Sequence, residues 1–164
     1  MRSAGPMNRQ SRRSFVARLA AASLVGGSSQ TKGQSRQSMK KIIRPARAAA
    51  PVGPYSHAVR TGNMLYCSGQ IPLDPSNGQL VAGDIKAQTE RVLENIRLIL
   101  EDQGLTFAAV IKSTVFMTNL GDFAGMNEVY ARYFTGDFPA RSTVQVAALP
   151  RGAAVEIEII AAFE

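Results

Sequence analysis

Hydrophobic and polar positions fall into regular patterns only from about residue 40 onward. Lys40 to Ile43 starts a short strand, and Ala48 to Tyr55 is a loop constrained by Pro51 and Pro54. Ser56 to Arg60 and Met64 to Ser68 read as a hairpin turning at Thr61-Gly62-Asn63. Ile71 to Gly83 carries Pro72, Asp74-Pro75 and Asn77-Gly78, so it is a turn-rich connection. Apolar residues Ile85, Val92, Leu93, Ile96, Ile99 and Leu100 then recur at three-to-four spacing. They predict a helix with one buried face, capped by Asp84 and stopped at Gly104. Val110 to Thr118 is a second clear strand, and Asp122 to Phe134 is a shorter amphipathic helix. Val144 and Val146 favour a strand led by Arg141, and Pro150-Arg151-Gly152 is a turn. Ala154 to Phe163 is the last strand, with Val155, Ile157 and Ile159 on one face and Glu156 and Glu158 on the other.

The order is ββαβαββ, an α+β fold with two helices packed on one face of a mixed sheet. Helices can cover only one side of such a sheet. Ile160-Ala161-Ala162-Phe163 is continuously apolar, and the Arg141 strand is expected to be apolar on both sides. The second face is therefore expected to meet another subunit in a closed oligomer.

Charge changes the picture at the N-terminus alone. Of the nineteen Lys and Arg in the 164-residue chain, seven lie in residues 1–38, which hold no Asp or Glu. Twelve basic and twelve acidic residues remain, so residues 39–164 are formally neutral. That balance does not support a nucleic-acid surface. Residues 1–38 read as a targeting-like or disordered extension, and residues 39–164 as the single domain. Ser11-Arg12-Arg13-Ser14-Phe15-Val16, followed by the weakly apolar Leu19 to Gly27, resembles a twin-arginine export signal leading to the periplasm. The abundance of Arg and Ser also fits a presequence for the mitochondrial matrix, and a start at Met39 would leave the protein cytoplasmic. Export is the preferred reading. The apolar run is too short to span a bilayer, so no membrane span is expected.

Candidate chemistry is sparse. Cys67 is the one cysteine, which rules out an internal disulfide and the usual Cys-type zinc clusters; a buried, inert thiol is expected. His57, the one histidine, has no Cys, Asp or Glu at ligand spacing, so neither a metal site nor a Ser-His-Asp triad is indicated. Arg141, set behind Phe138-Pro139-Ala140, is the outstanding group. An arginine entering an apolar strand needs a carboxylate or phosphate partner, and its planar fork suits a bidentate carboxylate. That partner could be a ligand acid or an internal acid, Glu156 or Glu158. The segment alone leaves both open.

Six segments in register then point to one family. Gly53-Pro54-Tyr55-Ser56, Ser68-Gly69-Gln70-Ile71-Pro72, Asn127 with Tyr130, Phe138-Pro139-Ala140-Arg141-Ser142, Ala148-Leu149-Pro150 and Glu156-Ile157-Glu158 occur in the order and spacing of the RidA/YjgF proteins. The resemblance covers about residues 39–164. It implies a chorismate-mutase-like fold, a homotrimer with sheets packed inward, and ligand clefts between subunits. It also implies enamine/imine deaminase activity: 2-iminobutanoate or 2-iminopropanoate is hydrolysed to the 2-oxo acid and ammonia, with no metal or organic cofactor.

Carried over residue by residue, the resemblance assigns Arg141 to the substrate carboxylate and Glu156 to the attacking water. Tyr55, Asn127 and Thr143 would line the cleft, and Ser68 and Gly69 would form a loop whose backbone approaches the ligand. Phe123 is a further pocket candidate. Many family members have Cys where this chain has Thr143, which bears on substrate preference. Each assignment has a structural alternative: Tyr55 packing its loop, Asn127 on the surface, Glu156 pairing with Arg141. At the level of function, the alternatives are a non-catalytic carboxylate-binding trimer, acting as sensor or stabiliser, and a ribonuclease or translation inhibitor. The neutral body and the lack of a paired histidine argue against the last.

Overall fold

The computed structural model describes residues 40–164, so the targeting expectation for residues 1–38 lies outside the described residues. Eight elements pack into two layers. They are β1 (Lys41–Ile43), β2 (Ala58–Thr61), β3 (Met64–Gln70), α1 (Ile85–Asp102), β4 (Val110–Met117), α2 (Phe123–Tyr133), β5 (Ala140–Gln145) and β6 (Val155–Ala162). This is the expected order, preceded by β1 where the sequence indicated a short strand at Lys40 to Ile43. One six-stranded sheet runs β1-β2-β3-β6-β4-β5, antiparallel throughout except for the parallel pair β4 and β5. The parallel pair requires a crossover, and α2 supplies it.

Local chemistry sets the boundaries of α1. The Asp84 side chain accepts from the Ala87 amide at 3.0 Å, satisfying one of the orphan donors of the first turn. At the other end Gly104 adopts φ +70, a left-handed conformation that ends the helix at little cost for glycine. Val92, Leu93, Ile96, Ile99 and Leu100 of α1 are buried with Met126, Val129 and Tyr130 of α2. They pack on the sheet face formed by Leu65, Cys67, Val115, Met117, Val155, Ile157, Ile159 and Ala161. Asn95 stitches the turn-rich segment to this core, its amide donating to the carbonyls of Ile71 (3.2 Å) and Leu73 (2.9 Å).

The opposite sheet face has no covering layer among the described residues. Tyr66 and Val144 are exposed on it, with Phe116, Glu156 and Ile160 half-buried beside them. One expectation is corrected here. The strand carrying Arg141 is not an apolar interior strand. It is the sheet edge, with Ser142, Val144 and Gln145 exposed and Arg141 half-buried. Its one valine, Val144, reflects the uncovered face rather than the core.

Candidate functional site

Two concave regions hold most of the candidate residues. The first surrounds Arg141. Pro139 keeps the approach extended, and the parallel register sets Arg141 opposite Ser113 of β4. Asn127 and Tyr130 are three residues apart on α2, so both project from one helix face toward the guanidinium. An Arg141 Nη2 hydrogen is donated to Asn127 Oδ1 at 2.8 Å. The guanidinium carbon stands 4.5 Å above the Tyr130 ring centre and 5.7 Å from that of Phe123. Tyr130 is itself fixed from two sides: its hydroxyl meets that of Ser113 at 2.7 Å, and its ring stacks on Phe134 at 4.3 Å. The cation is thus held at one corner and across one face, leaving other N–H groups of its fork free for an anion. The cavity beside it, about 330 Å³, is bounded by Asn127, Tyr130, Ala131, Phe138, Pro139 and Arg141.

The second region surrounds Glu156 on β6. Its cavity of about 220 Å³ is bounded by Val52, Tyr55, Ser68, Gly69, Ile71, Pro150 and Glu156. The register of β3 against β6 shifts between Cys67 and Gln70, and this irregularity carries Ser68 and Gly69 into the wall. Ser68 is anchored twice: its hydroxyl donates to the Ser56 carbonyl (2.7 Å) and its amide to the His57 carbonyl (2.9 Å). The Tyr55 hydroxyl accepts from the Val52 amide at 3.2 Å, folding the loop onto its own ring. Partial burial, followed by the charge of Glu158, raises the Glu156 carboxyl above the usual carboxylate range. That direction keeps the proton on this carboxyl to higher pH than on an ordinary glutamate.

Arg141 and Glu156 do not meet in one chain. Ser113 pairs with Arg141 on one side and Ile159 on the other, whereas Phe116 pairs with Val144 and with Glu156. Ser113 and Phe116 are three residues apart on one strand and so point to opposite faces. Of the two open alternatives, the internal salt bridge with Glu156 or Glu158 is absent: Asn127 is the partner of the guanidinium, and no ion pair among the described residues involves Arg141, Glu156 or Glu158. Asn127 is likewise not a free surface residue. Thr143 is half-buried opposite Val115 and bounds neither cavity. Burial pushes the Cys67 thiol up to about 12, leaving an inert side chain as expected. The platform role of Tyr130 and the walls made by Phe138, Val52 and Pro150 escaped the sequence reading. For Tyr130 the three-residue spacing from Asn127 was the available signal.

Comparison with known proteins places these features in context. The model of the family described as endoribonuclease L-PSP matches residues 45–163. Protein DfrA of Myxococcus xanthus is 54% identical over 128 residues, covering 77% of this chain and 98% of that protein. A mouse protein named 2-iminobutanoate/2-iminopropanoate deaminase is 47% identical over 123 residues, covering 75% of this chain and 91% of that one. Among solved structures, E. coli TdcF with bound serine superposes with a TM-score of 0.72 at 44% identity, covering 76% of this chain and 99% of that one.

Proposed function

The chain belongs to the endoribonuclease L-PSP family, the RidA/YjgF proteins, with their chorismate-mutase-like α+β fold, and from that premise we propose that it hydrolyses reactive 2-imino acids to 2-oxo acids and ammonia. The observation that carries the reading is the separation of Arg141 and Glu156 onto opposite faces of one sheet. Arg141 would clamp the substrate carboxylate and Glu156 would exchange protons with water, and each borders an open concave region. A homotrimer with its uncovered faces packed inward would bring the Arg141 region of one subunit to the Glu156 region of the next. The mouse relative bears the deaminase name, and TdcF holds serine, a small amino acid with the carboxylate such a clamp requires.

In this mechanism the substrate carboxylate takes two parallel hydrogen bonds from the Arg141 fork, which fixes the C=N carbon in position. Glu156, as carboxylate, takes a proton from water as the oxygen adds to that carbon. Glu156 returns that proton to the nitrogen, giving a tetrahedral adduct with one hydroxyl and one amino group. It then takes the hydroxyl proton as the C=O bond forms and hands it to the nitrogen as the C–N bond breaks, so ammonia leaves the 2-oxo acid. Tyr55, Ser68 and Gly69 shape the water side of the cleft, while Asn127, Tyr130 and Phe123 hold the arginine side. Water supplies the oxygen, and no redox change occurs. An imine is already electrophilic, so positioning with one proton-exchanging group is sufficient apparatus.

Mixed assembly tests the reading. Chains carrying Arg141→Ala and chains carrying Glu156→Ala should each be inactive in imine hydrolysis. Refolded together, they should regain roughly a quarter of the wild-type sites, because each intact site draws its two residues from neighbouring subunits of a cyclic trimer. Absence of any recovery in well-mixed trimers would overturn the shared site. A wild-type trimer that binds 2-oxobutanoate but leaves imine hydrolysis unaccelerated would make the chain a carboxylate-binding protein instead.

A further inference from the structure

One buried polar group has no part in this mechanism. His57 is 6% exposed, and its Nδ1 is the one buried side-chain nitrogen or oxygen without a hydrogen-bond partner among the described residues. The other ring nitrogen, Nε2, lies 2.7 Å from the Ala49 carbonyl. A carbonyl can only accept, so Nε2 carries the hydrogen, and in the uncharged ring Nδ1 carries a buried lone pair. Leaving such a group unsatisfied costs about 1–3 kcal/mol.

A small cavity adjoins the ring. Its walls include Ala49, Tyr55, His57, Gly69, Gln70 and Asn95, and about 20 Å³ of it is open to the centre of a water molecule. A buried water itself occupies roughly 10–15 Å³ and needs two to four polar partners. The space is large enough for a water molecule, and Gln70 and Asn95 add polar side chains to the wall. Tyr55, Gly69 and Ile71 border both this cavity and the larger one around Glu156. The two spaces are therefore separated by the very segments that would shape the water side of the cleft.

We propose that His57 and this cavity form a single-water site that positions the Tyr55 loop and the Gly69 bulge behind the Glu156 carboxyl. Its ligand is one water molecule donating to Nδ1. His57 acts from the centre of the arrangement. Its ring holds the loop at Ala49, and its backbone carbonyl accepts from the Ser68 amide at 2.9 Å, holding the bulge. The bound water fills the remaining gap between them. His57 touches no substrate in this scheme, so it is a positioning residue. The functional half of the inference rests on the deaminase reading; the water site does not.

The test joins crystallography to kinetics. Crystals of the full chain that resolve ordered solvent should show one water within hydrogen-bonding distance of Nδ1. His57→Leu should lose that water and displace Tyr55 and Gly69. It should lower kcat about tenfold or more while KM stays near wild type, because misplacing a supporting segment slows chemistry and the Arg141 region is elsewhere. His57→Asn puts a polar atom near the Nδ1 position, so it should keep the water and restore most of kcat. A dry cavity in the wild-type crystal overturns the site even if the protein is an active deaminase. A His57→Leu trimer with wild-type kcat overturns the positioning role. If the wild type lacks deaminase activity, that reading falls alone, and the water and the placement of Tyr55 in the His57→Leu crystal still decide the site.

Discussion

The carboxylate of Glu156 fills the space that a side chain on Gly69 would need: a methyl carbon there would lie 1.8 Å from Oε1 and 2.7 Å from Cδ. Contact that short is impossible, but the atoms in the way end a flexible side chain. Gly69→Ala is therefore expected to fold and to push the carboxylate aside. Its melting temperature should stay within a few degrees of wild type, while kcat should fall by about tenfold or more, as expected when a reacting group is misplaced by about an ångström. Thermal denaturation and imine-hydrolysis rates on the same preparation check this. An alanine variant with full kcat would mean that the carboxyl need not sit where Gly69 allows it.

How this contact arises was only partly legible in sequence. The glycine and the glutamate stand in separate motifs, and their meeting depends on the bulge between Cys67 and Gln70, which no local pattern announces. Helix α1 was legible because its cap at Asp84, its spacing and its stop at Gly104 are all local signals. Strand β5 was misread for a physical reason. Val144 makes it look like interior, yet an apolar residue on an uncovered sheet face gives the same signal. Whether Arg141 pairs with Glu156 was left open by the sequence, because the answer depends on parity. Both side chains flank β4, but the register sets one opposite Ser113 and the other opposite Phe116, and only the register reveals that these face apart.

The pH dependence follows from the causes acting on Glu156. Burial and then Glu158 raise its carboxyl above the ordinary value. In the proposed role of proton acceptor it must be ionised, so the acid limb of kcat/KM should lie above the ordinary glutamate range. Glu158→Gln removes a like charge, favours the ionised form and should move that limb to lower pH. For stability the sign is opposite. Between the ordinary and the raised pKa the native chain binds more protons than the unfolded one, so stability falls as pH rises through that window. Glu156→Gln should abolish this loss together with the activity. An acid limb left in place by Glu158→Gln would remove Glu156 from the role.

Tyr130 should reveal its contribution through the difference between two substitutions. Tyr130→Phe keeps the ring beneath Arg141 and loses the hydroxyl contact with Ser113. Tyr130→Leu keeps apolar bulk and removes the aromatic face. A cation–π contact contributes about 0.5–2 kcal/mol, so the leucine variant should raise KM by roughly two- to thirtyfold with kcat little changed. The phenylalanine variant should stay near wild-type KM. Equal losses in both would assign the effect to the hydroxyl pair instead of the ring.

Arg141→Lys separates charge from geometry. Lysine keeps the charge but cannot offer the planar two-point grip, so the variant should fold, trimerise and lose about ten- to a hundredfold in kcat/KM, corresponding to roughly 1.5–3 kcal/mol. Steady-state kinetics on the isolated trimer measure this. Full activity with lysine would show that a point charge is enough and that no bidentate carboxylate contact is made.

The uncovered face provides the last prediction. Val144 is 42% exposed and sits across from Phe116, which in turn faces Glu156. Since Val144 packs against none of the buried core, Val144→Lys should leave the protomer folded, with an unchanged circular dichroism spectrum. In the proposed trimer the same position is covered by a neighbouring chain, and burying an unpaired ammonium there costs several kcal/mol. Sedimentation should therefore report a trimer for the wild type and a monomer for Val144→Lys at the same micromolar concentration. Activity should vanish with the trimer, because within one protomer Arg141 and Glu156 remain on opposite sides of the sheet. A stable Val144→Lys trimer would show that the association surface lies elsewhere, and an active monomer would show that the two residues need not meet.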